Sequence, residues 1–321
     1  MGADDMSIER GKVPEKLPRR AEERFRLDLT QEIAKIDEES GMVWMVLTPD
    51  PRRYDKIERA EEGQWYLDKY FNTVFNLNDF VQSAKGLPIY ASERTVESAD
   101  EYASQRKSAV LSELESGEYV PPPQLARPHE ALELLNERDI AFITVDICGS
   151  TALRQRNASA FEAAHKILVQ ELGATVGQFQ GSILKATGDG FIATVDMPSV
   201  NTLADSTIDL GGTLLHVLHG AVNPALEAKG LPRLSVRIGA DFGPARIREV
   251  KVPLTGYVTP EVTSDALNRA VKIEQSCERD TFRIGYDLYR LGHVQWLERS
   301  HQVPFDGRTV GIPDYQVFEV R

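Results

Sequence analysis

Cysteine is scarce in this 321-residue chain. Its two thiols, Cys148 and Cys277, supply neither a disulfide framework nor a zinc-ligand cluster, and they suit a reducing compartment. Long apolar runs are missing too, since no stretch approaches the roughly 18 residues of a membrane-spanning helix. The opening MGADDMSIER has neither a basic leader nor an apolar core, so a cytoplasmic protein without a membrane span is expected. Positive charge is also short: 37 basic against 49 acidic side chains give −12. Residues 1–140 hold 29 acidic and 19 basic side chains (−10) and residues 141–321 hold 20 and 18 (−2), so the acidity belongs to the N-terminal part. A chain without a basic stripe has no electrostatic footprint for polymeric DNA or RNA. Internal repeats and low-complexity tracts are absent, which excludes solenoids.

What is present is enough apolar content, 41%, for a sizeable core, and a length that favours two domains. Residues 1–20 are polar, charged and interrupted by proline, as in a loose tail. Residues 21–116 read as a mainly helical region: 21–40 has a helical charge pattern, 54–85 mixes aromatics and charges at helix-like spacing, and 93–118 looks like an exposed helix. GMVWMVLT (41–48) is the exception, a candidate strand. The triple proline Pro121-Pro122-Pro123 marks a stiff linker at 117–129, and a short helix over 129–138 then leads into a domain at 130–321. There, strand pairs alternate with amphipathic helices at 150–178, 199–229 and 262–278, the pattern of an α/β sandwich. Its strands include 182–187 and 190–196, a hairpin over 234–250 turning at Asp241-Phe242-Gly243-Pro244, and a last strand at 316–320.

Two segments carry the chemistry. AFITVDICGST (141–151) and SILKATGDGF (182–191) each bring an aspartate to the point where a strand runs into a turn. Asp146 closes a buried apolar strand, and Asp189 sits at the tip of a tight Gly188-Asp189-Gly190 turn. Two carboxylates on neighbouring strand ends can share divalent cations. Taken singly, Asp146 is as readily a helix cap and Asp189 a turn former. The pair in this order favours metal binding.

These segments resemble the two metal motifs of the class III nucleotidyl cyclases, a hydrophobic strand ending Asp-Ile-x-Gly before a Thr-containing turn, and Lys-x-x-Gly-Asp. RLSVRIGADFGPARIREV (233–250) resembles the family's Arg-Ile-Gly hairpin, and SDALNRAVKIEQ (264–275) its Asn-containing helix. The four motifs span 141–275 in order; the first 130 residues match nothing in the family. The resemblance implies a catalytic domain with a ferredoxin-like βαββαβ core and a homodimer with its sites at the interface. It further implies two divalent cations, Mn2+ or Mg2+, held by Asp146 and Asp189 with the Ile147 carbonyl. The amides of Cys148, Gly149, Ser150 and Thr151 would cradle the β- and γ-phosphates of a nucleoside triphosphate; Ser150 and Thr151 can equally serve as N-caps.

By the same resemblance Asn268 positions the ribose. Four residues on, Lys272 stands where the family has a transition-state arginine, and it lacks the bidentate fork; Arg269 is a nearby substitute on another helix face. Arg308 is the candidate for the terminal phosphates. Lys185 and Glu261 fall at the base-selecting positions, with Tyr257 and Arg246 as further pocket candidates. Lys185 is half of an adenine pair, and the guanine pair is absent. Ser150 in place of a bulky aromatic, and the irregular segment before the Asn helix, are more similar to the pyrimidine cyclases of bacterial Pycsar antiphage systems. Their products, cyclic UMP or cyclic CMP, are read by a separate effector. Uracil, with two carbonyl acceptors, suits Lys185 better than cytosine. The alternatives are an adenylyl cyclase and a catalytically silent nucleotide sensor. The Gly-Gly-Asp/Glu-Glu-Phe signature of diguanylate-forming enzymes is absent.

Overall fold

Charges at helix-like spacing mislead in the first hundred residues. The computed structural model describes residues 26–36, 43–84, 96–122 and 135–321; the expected tail at 1–20 and most of the linker, 123–129, lie outside them. Within 21–40, Leu29–Ile36 is a strand, β1, paired antiparallel with β2 (Val43–Pro49). The expected helical stretch 54–85 is mostly an antiparallel sheet, β3 (Tyr54–Ile57), β4 (Trp65–Asp68) and β5 (Thr73–Asn76), with α1 (Leu77–Ala84) only at its end. Asn72 adopts φ 52° in the turn between β4 and β5, and the Tyr54 and Tyr66 rings pack on Phe75 at centroid distances of 5.3 and 5.8 Å. The charges are not a solvated helix face. Arg53 is buried and donates to Asp28 and Asp68 at 2.9 Å each, while Arg26 donates to Asp28 at 2.6 Å and Asp205 at 2.8 Å. The described residues of the N-terminal region therefore hold strand and helix in similar measure.

The helix expected over 93–118 is α2 (Ala99–Ser116), capped by Ser98 and closed by Gly117 in the left-handed conformation. It is not simply exposed: Tyr102, Arg106, Val110 and Glu113 are buried, and Val96, Tyr102 and Val110 belong to the same core as the C-terminal strands. The boundary at 117–129 therefore does not separate two cores. The helix expected over 129–138 does not appear in its described part, because Leu135–Arg138 already belong to the next strand, β6 (Leu135–Ile147).

From Ile140 to Val145 that strand is almost wholly apolar, because both of its faces are covered there. Ala141, Ile143, Val145 and Ile147 enter the main core, whereas Ile140 and Phe142 enter a second cluster with Ala245, Ile247, Ala266 and Ala270. By alternation Asp146 continues the second face. Chain order then gives α3 (Ser150–Arg156), α4 (Ala158–Gln178), β7 (Gly181–Ala186), β8 (Phe191–Val195), α5 (Val200–Val217), a π-helical turn at Leu218–Val222 and α6 (Asn223–Ala228). Next come β9 (Val236–Val252), β10 (Tyr257–Thr263), α7 (Asp265–Gln275), β11 (Thr281–Gly285), two short helices, β12 (Ser300–Val303), a 3-10 turn at Gly307–Val310 and β13 (Val317–Val320). The sheet order is β12-β13-β11-β9-β6-β8-β7, with β10 also paired to β9 and β9–β11 the parallel pair. Among the described residues no helix is long and apolar enough to cross a membrane.

The expected turn at Asp241-Phe242-Gly243-Pro244 is not a turn. These residues lie in mid-β9 opposite β6, from Phe142↔Asp241 to Asp139↔Pro244. The other edge of β9 pairs with β11 over Arg237–Ala240 and with β10 over Arg246–Val252, so Pro244 falls in the gap where no ladder hydrogen bond is asked of that edge. The chain reverses instead between Val252 and Tyr257, where Leu254 and Gly256 adopt φ 67° and 74°.

Candidate active site

Asp146 is carried to the end of β6 on the α7 side, and Asp189 arrives on the β7–β8 turn, close enough for its carboxyl to act directly on that of Asp146. Gly190 makes the approach possible. A Cβ there would lie 1.9 Å from the Val145 carbonyl oxygen and 2.9 Å from the Asp146 Cα, so the turn seats against β6 only without a side chain. Gly239 does the same on the next strand: its Cβ would lie 2.3 Å from the Glu274 nitrogen, so α7 lies directly on β9. Thr144 fixes this packing by donating to the Gly239 and Ala270 carbonyls at 3.2 Å each.

Two charged residues that sequence reasoning left without a role complete the cluster. Arg237, opposite Asp146 on β9, donates to its carboxylate at 2.5 Å and approaches Glu274 on α7 at 3.0 Å. Both sit inside the quoted motifs. The missed signal is a charge on the inner face of an otherwise apolar strand or helix. Burial pushes the Asp146 carboxyl above the usual range; Arg237 pulls against this and Asp189 adds to it. Burial likewise pushes Glu274 up to about 7, opposed by Arg237 and reinforced by Asp146 and Asp189. Thr144, Asp146, Thr187, Arg237, Glu274 and Gln275 line a cavity of about 200 Å³.

Glu274 makes stability depend on pH in a definite direction. Its carboxyl protonates near 7 when folded and near 4.5 otherwise, so between these values the native chain binds more protons and stability falls as pH rises. Glu274→Gln is expected to flatten that slope. Urea unfolding at about pH 5, 6 and 7.5 checks this; parallel curves for the two proteins would remove Glu274 as the cause.

The remaining expected residues divide. The Cys148 amide donates to the Ser235 carbonyl at 2.8 Å and is not free for a phosphate. Gly149, at φ 72°, takes the N-cap position of α3, so neither Ser150 nor Thr151 caps the helix; both lie in its first turn. Ile147 is buried opposite Val236. Lys185 and Asn268 are exposed and make no hydrogen bond or ion pair among the described residues. Lys272 donates to Gln275 at 3.1 Å, at the edge of the cavity. Arg269 does not face it. Its guanidinium is buried on the inner side of α7, hydrogen-bonded to Asp241, to Asp287 and the Phe242 carbonyl at 3.0 Å, with Tyr315 donating to Asp241 at 2.8 Å. It holds α7 to the sheet and is not available to a substrate. Arg308 is paired with the neighbouring Asp306 at 2.8 and 3.0 Å on an exposed 3-10 turn. Glu261, Tyr257 and Arg246 lie on the distal β9–β10 ribbon. Glu261 pairs with Arg248, 11 residues along β9 from Arg237 (248 minus 237), or about 35 Å of extended chain, so within one protomer it does not reach Asp146.

Among solved structures, the adenylyl cyclase CyaB from P. aeruginosa is similar over 59% of this chain and 96% of its own, with 18% identity and a TM-score of 0.51. The fold is that of a class III cyclase catalytic domain. The guanylate cyclase domain of RhGC from Catenaria anguillulae, in complex with GTP, matches 58% of this chain and 98% of its own at 14% identity and TM-score 0.49. No protein-family profile matches the sequence, and no curated protein does. At such identities the likeness is one of fold. On this cyclase fold Asp146, Arg237 and Glu274 line the crevice between β6, the β7–β8 turn and α7, and Asp189 stands on that turn. The oxygen donors fit a hard divalent cation: two carboxyls in contact repel when both are ionised, and Arg237 satisfies only one of them.

Proposed function

We propose that this chain is a homodimeric nucleotide cyclase that converts a pyrimidine nucleoside triphosphate, UTP by preference, into the 3′,5′-cyclic nucleotide and pyrophosphate. The observation that carries the reading is the contact between Asp146 and Asp189 at adjacent strand ends of a class III cyclase fold. Asp146 and Asp189 hold the cations, with the Ile147 carbonyl as a further ligand. Mn2+ or Mg2+ bound there supplies charge neutralisation for the triphosphate and a lower pKa for the attacking hydroxyl. In the reaction the ribose 3′-oxygen bonds to the α-phosphorus and the bond to the bridging oxygen of the β-phosphate breaks. The chain's task is to place these atoms: Ser150 and Thr151 sit under the phosphates, Asn268 orients the ribose, and Lys272 offers positive charge to the crowded α-phosphate. Lys185, exposed and unpaired among the described residues, donates to a base carbonyl, and uracil offers two.

The dimer is supported by size and by surface. A cavity of about 200 Å³ is smaller than the roughly 300 Å³ at which ligand pockets begin, so a nucleotide needs walls from elsewhere. Asn268 and Glu261 are not among its lining, and a second copy brings them to it. Val252, Leu254, Tyr257 and Val258 at the tip of the β9–β10 ribbon are exposed, as an arm gripping a partner would be. A cytoplasmic second-messenger role in antiphage defence, with a separate effector, accompanies the reading by resemblance.

Incubation of the purified protein with UTP, CTP, ATP and GTP separately, each with Mn2+, and mass spectrometry of the products tests it. Cyclic UMP as the main product is the expected result. Product from ATP alone would replace the pyrimidine reading with adenylyl cyclase. Nucleotide binding without product from any of the four would leave a silent sensor.

A further inference from the structure

We propose that Arg279 holds the terminal phosphates of the bound nucleotide, the part for which Arg308 is the candidate by family resemblance. The inference rests on the reading of the carboxyl pair as a triphosphate site and adds a residue to it. A Cβ placed on Gly149 would lie 3.7 Å from Nη2 of Arg279, so the guanidinium lies over the side-chain-less face of the turn that follows Asp146. Its positive charge acts on Cys148 in the same turn.

Two loops are bolted to the same strand end to produce this contact. The Cys148 amide donates to the Ser235 carbonyl, fixing the turn after β6. One residue further, Val236 is bracketed by Asp280: the Asp280 amide donates to the Val236 carbonyl at 2.7 Å, and the Asp280 carboxylate accepts from the Val236 amide at 3.0 Å. Asp280 adopts φ 56°, which turns the chain into β11 and leaves the preceding Arg279 standing above Gly149.

The guanidinium makes no hydrogen bond or ion pair among the described residues, and the side chain is exposed. The other cations named so far in connection with the site are engaged: Arg237 with Asp146 and Glu274, Lys272 with Gln275, Arg269 with Asp241 and Asp287, Arg308 with Asp306. An arginine whose donors are open among the described residues, on a loop held beside the turn that follows Asp146, is suited to bidentate capture of phosphate oxygens.

The test is calorimetric binding of inorganic tripolyphosphate, with Mn2+, to the full-length chain, which needs no knowledge of the base. Arg279→Ala is expected to weaken it roughly 10- to 100-fold, the effect of a lost charge-assisted pair. Binding of UMP, which lacks the terminal phosphates, stays within about twofold of wild type. Arg279→Lys is expected to recover part of the loss, because charge returns without the fork. Lys107→Ala, which removes one exposed charge from the outer face of α2, is expected to bind as wild type does, and unchanged thermal melting of Arg279→Ala shows that the fold is kept. Undiminished tripolyphosphate binding by Arg279→Ala, or equal losses for UMP and tripolyphosphate, overturns the assignment. Arg279-dependent tripolyphosphate binding by a protein that yields no cyclic product sinks the cyclase reading and leaves Arg279 in place. Product formation with wild-type substrate affinity in Arg279→Ala does the reverse.

Discussion

Asp189→Asn is expected to lower Mn2+-dependent product formation by about a thousandfold or more while leaving the protein folded and somewhat more stable. The first half follows from what a bound cation contributes: several kcal/mol of charge stabilisation on the reacting phosphate is lost when one of two shared carboxylates becomes a neutral amide. The second half follows from the structure without ligand. The carboxyls of Asp189 and Asp146 touch, and Asp189 helps to push the Asp146 carboxyl up, so neutralising one relieves repulsion between like charges. Asp146→Asn is expected to lose activity as severely but to gain no stability, because it leaves Arg237 facing an amide in place of the carboxylate it binds at 2.5 Å. Mn2+ binding followed by electron paramagnetic resonance, alongside urea unfolding, separates the two effects. Wild-type Mn2+ affinity in both variants would show that the pair does not hold the metal.

The approach of Asp189 to Asp146 was legible in sequence for a physical reason. A continuous apolar run ending in Asp146 means a doubly covered strand whose first polar group emerges at the sheet edge, and Gly188-Asp189-Gly190 means a turn that can press against a neighbour's backbone. Arg237 and Glu274 were within the quoted motifs, yet their role depends on α7 lying against Gly239, and that close approach shows only in coordinates. Arg269 shows the opposite failure. Position along the helix put it one residue from Asn268, but the 100° step turns it inward to Asp241. Asp241-Phe242-Gly243-Pro244 has the composition of a turn, and only the gap between β10 and β11 lets it remain strand.

In the N-terminal region, charges at helix-like spacing belong to strands and to a buried ionic network. Leu29, Ile33 and Ile36 have helical spacing, but Leu29–Ile36 pairs with Val43–Pro49, and helix-like spacing alone does not exclude a strand. Arg26, Arg53 and Asp68 sit in a buried network with Asp28, which also accepts from the Val294 amide at 3.0 Å, so the N-terminal segment is tied to the far end of the chain. Buried charge of this kind is invisible to composition, which counts the same residues as surface.

The same logic makes Arg106→Ala the most damaging single change expected outside the site. Arg106 on α2 donates to both oxygens of Glu171 on α4 at 2.6 and 2.7 Å, and to the Val120 carbonyl at 2.7 Å; both side chains are almost wholly buried. Burial already pushes Glu171 up, with Arg106 the partner that opposes it. Without Arg106 a carboxylate remains in an apolar setting with no counter-charge, which costs about 3–5 kcal/mol. The sign of the pH dependence is fixed. The stranded Glu171 binds its proton more tightly in the folded than in the unfolded chain, so the deficit is largest at neutral pH and shrinks as pH falls. Arg106→Met with Glu171→Met is expected to recover most of the loss, since a matched apolar pair carries no desolvation penalty. Urea unfolding of the single and double variants at about pH 7.5 and 5.5 reads all three statements. A single variant as stable as wild type at both pH values would show that α2 is an appendage and not part of the core that carries the site.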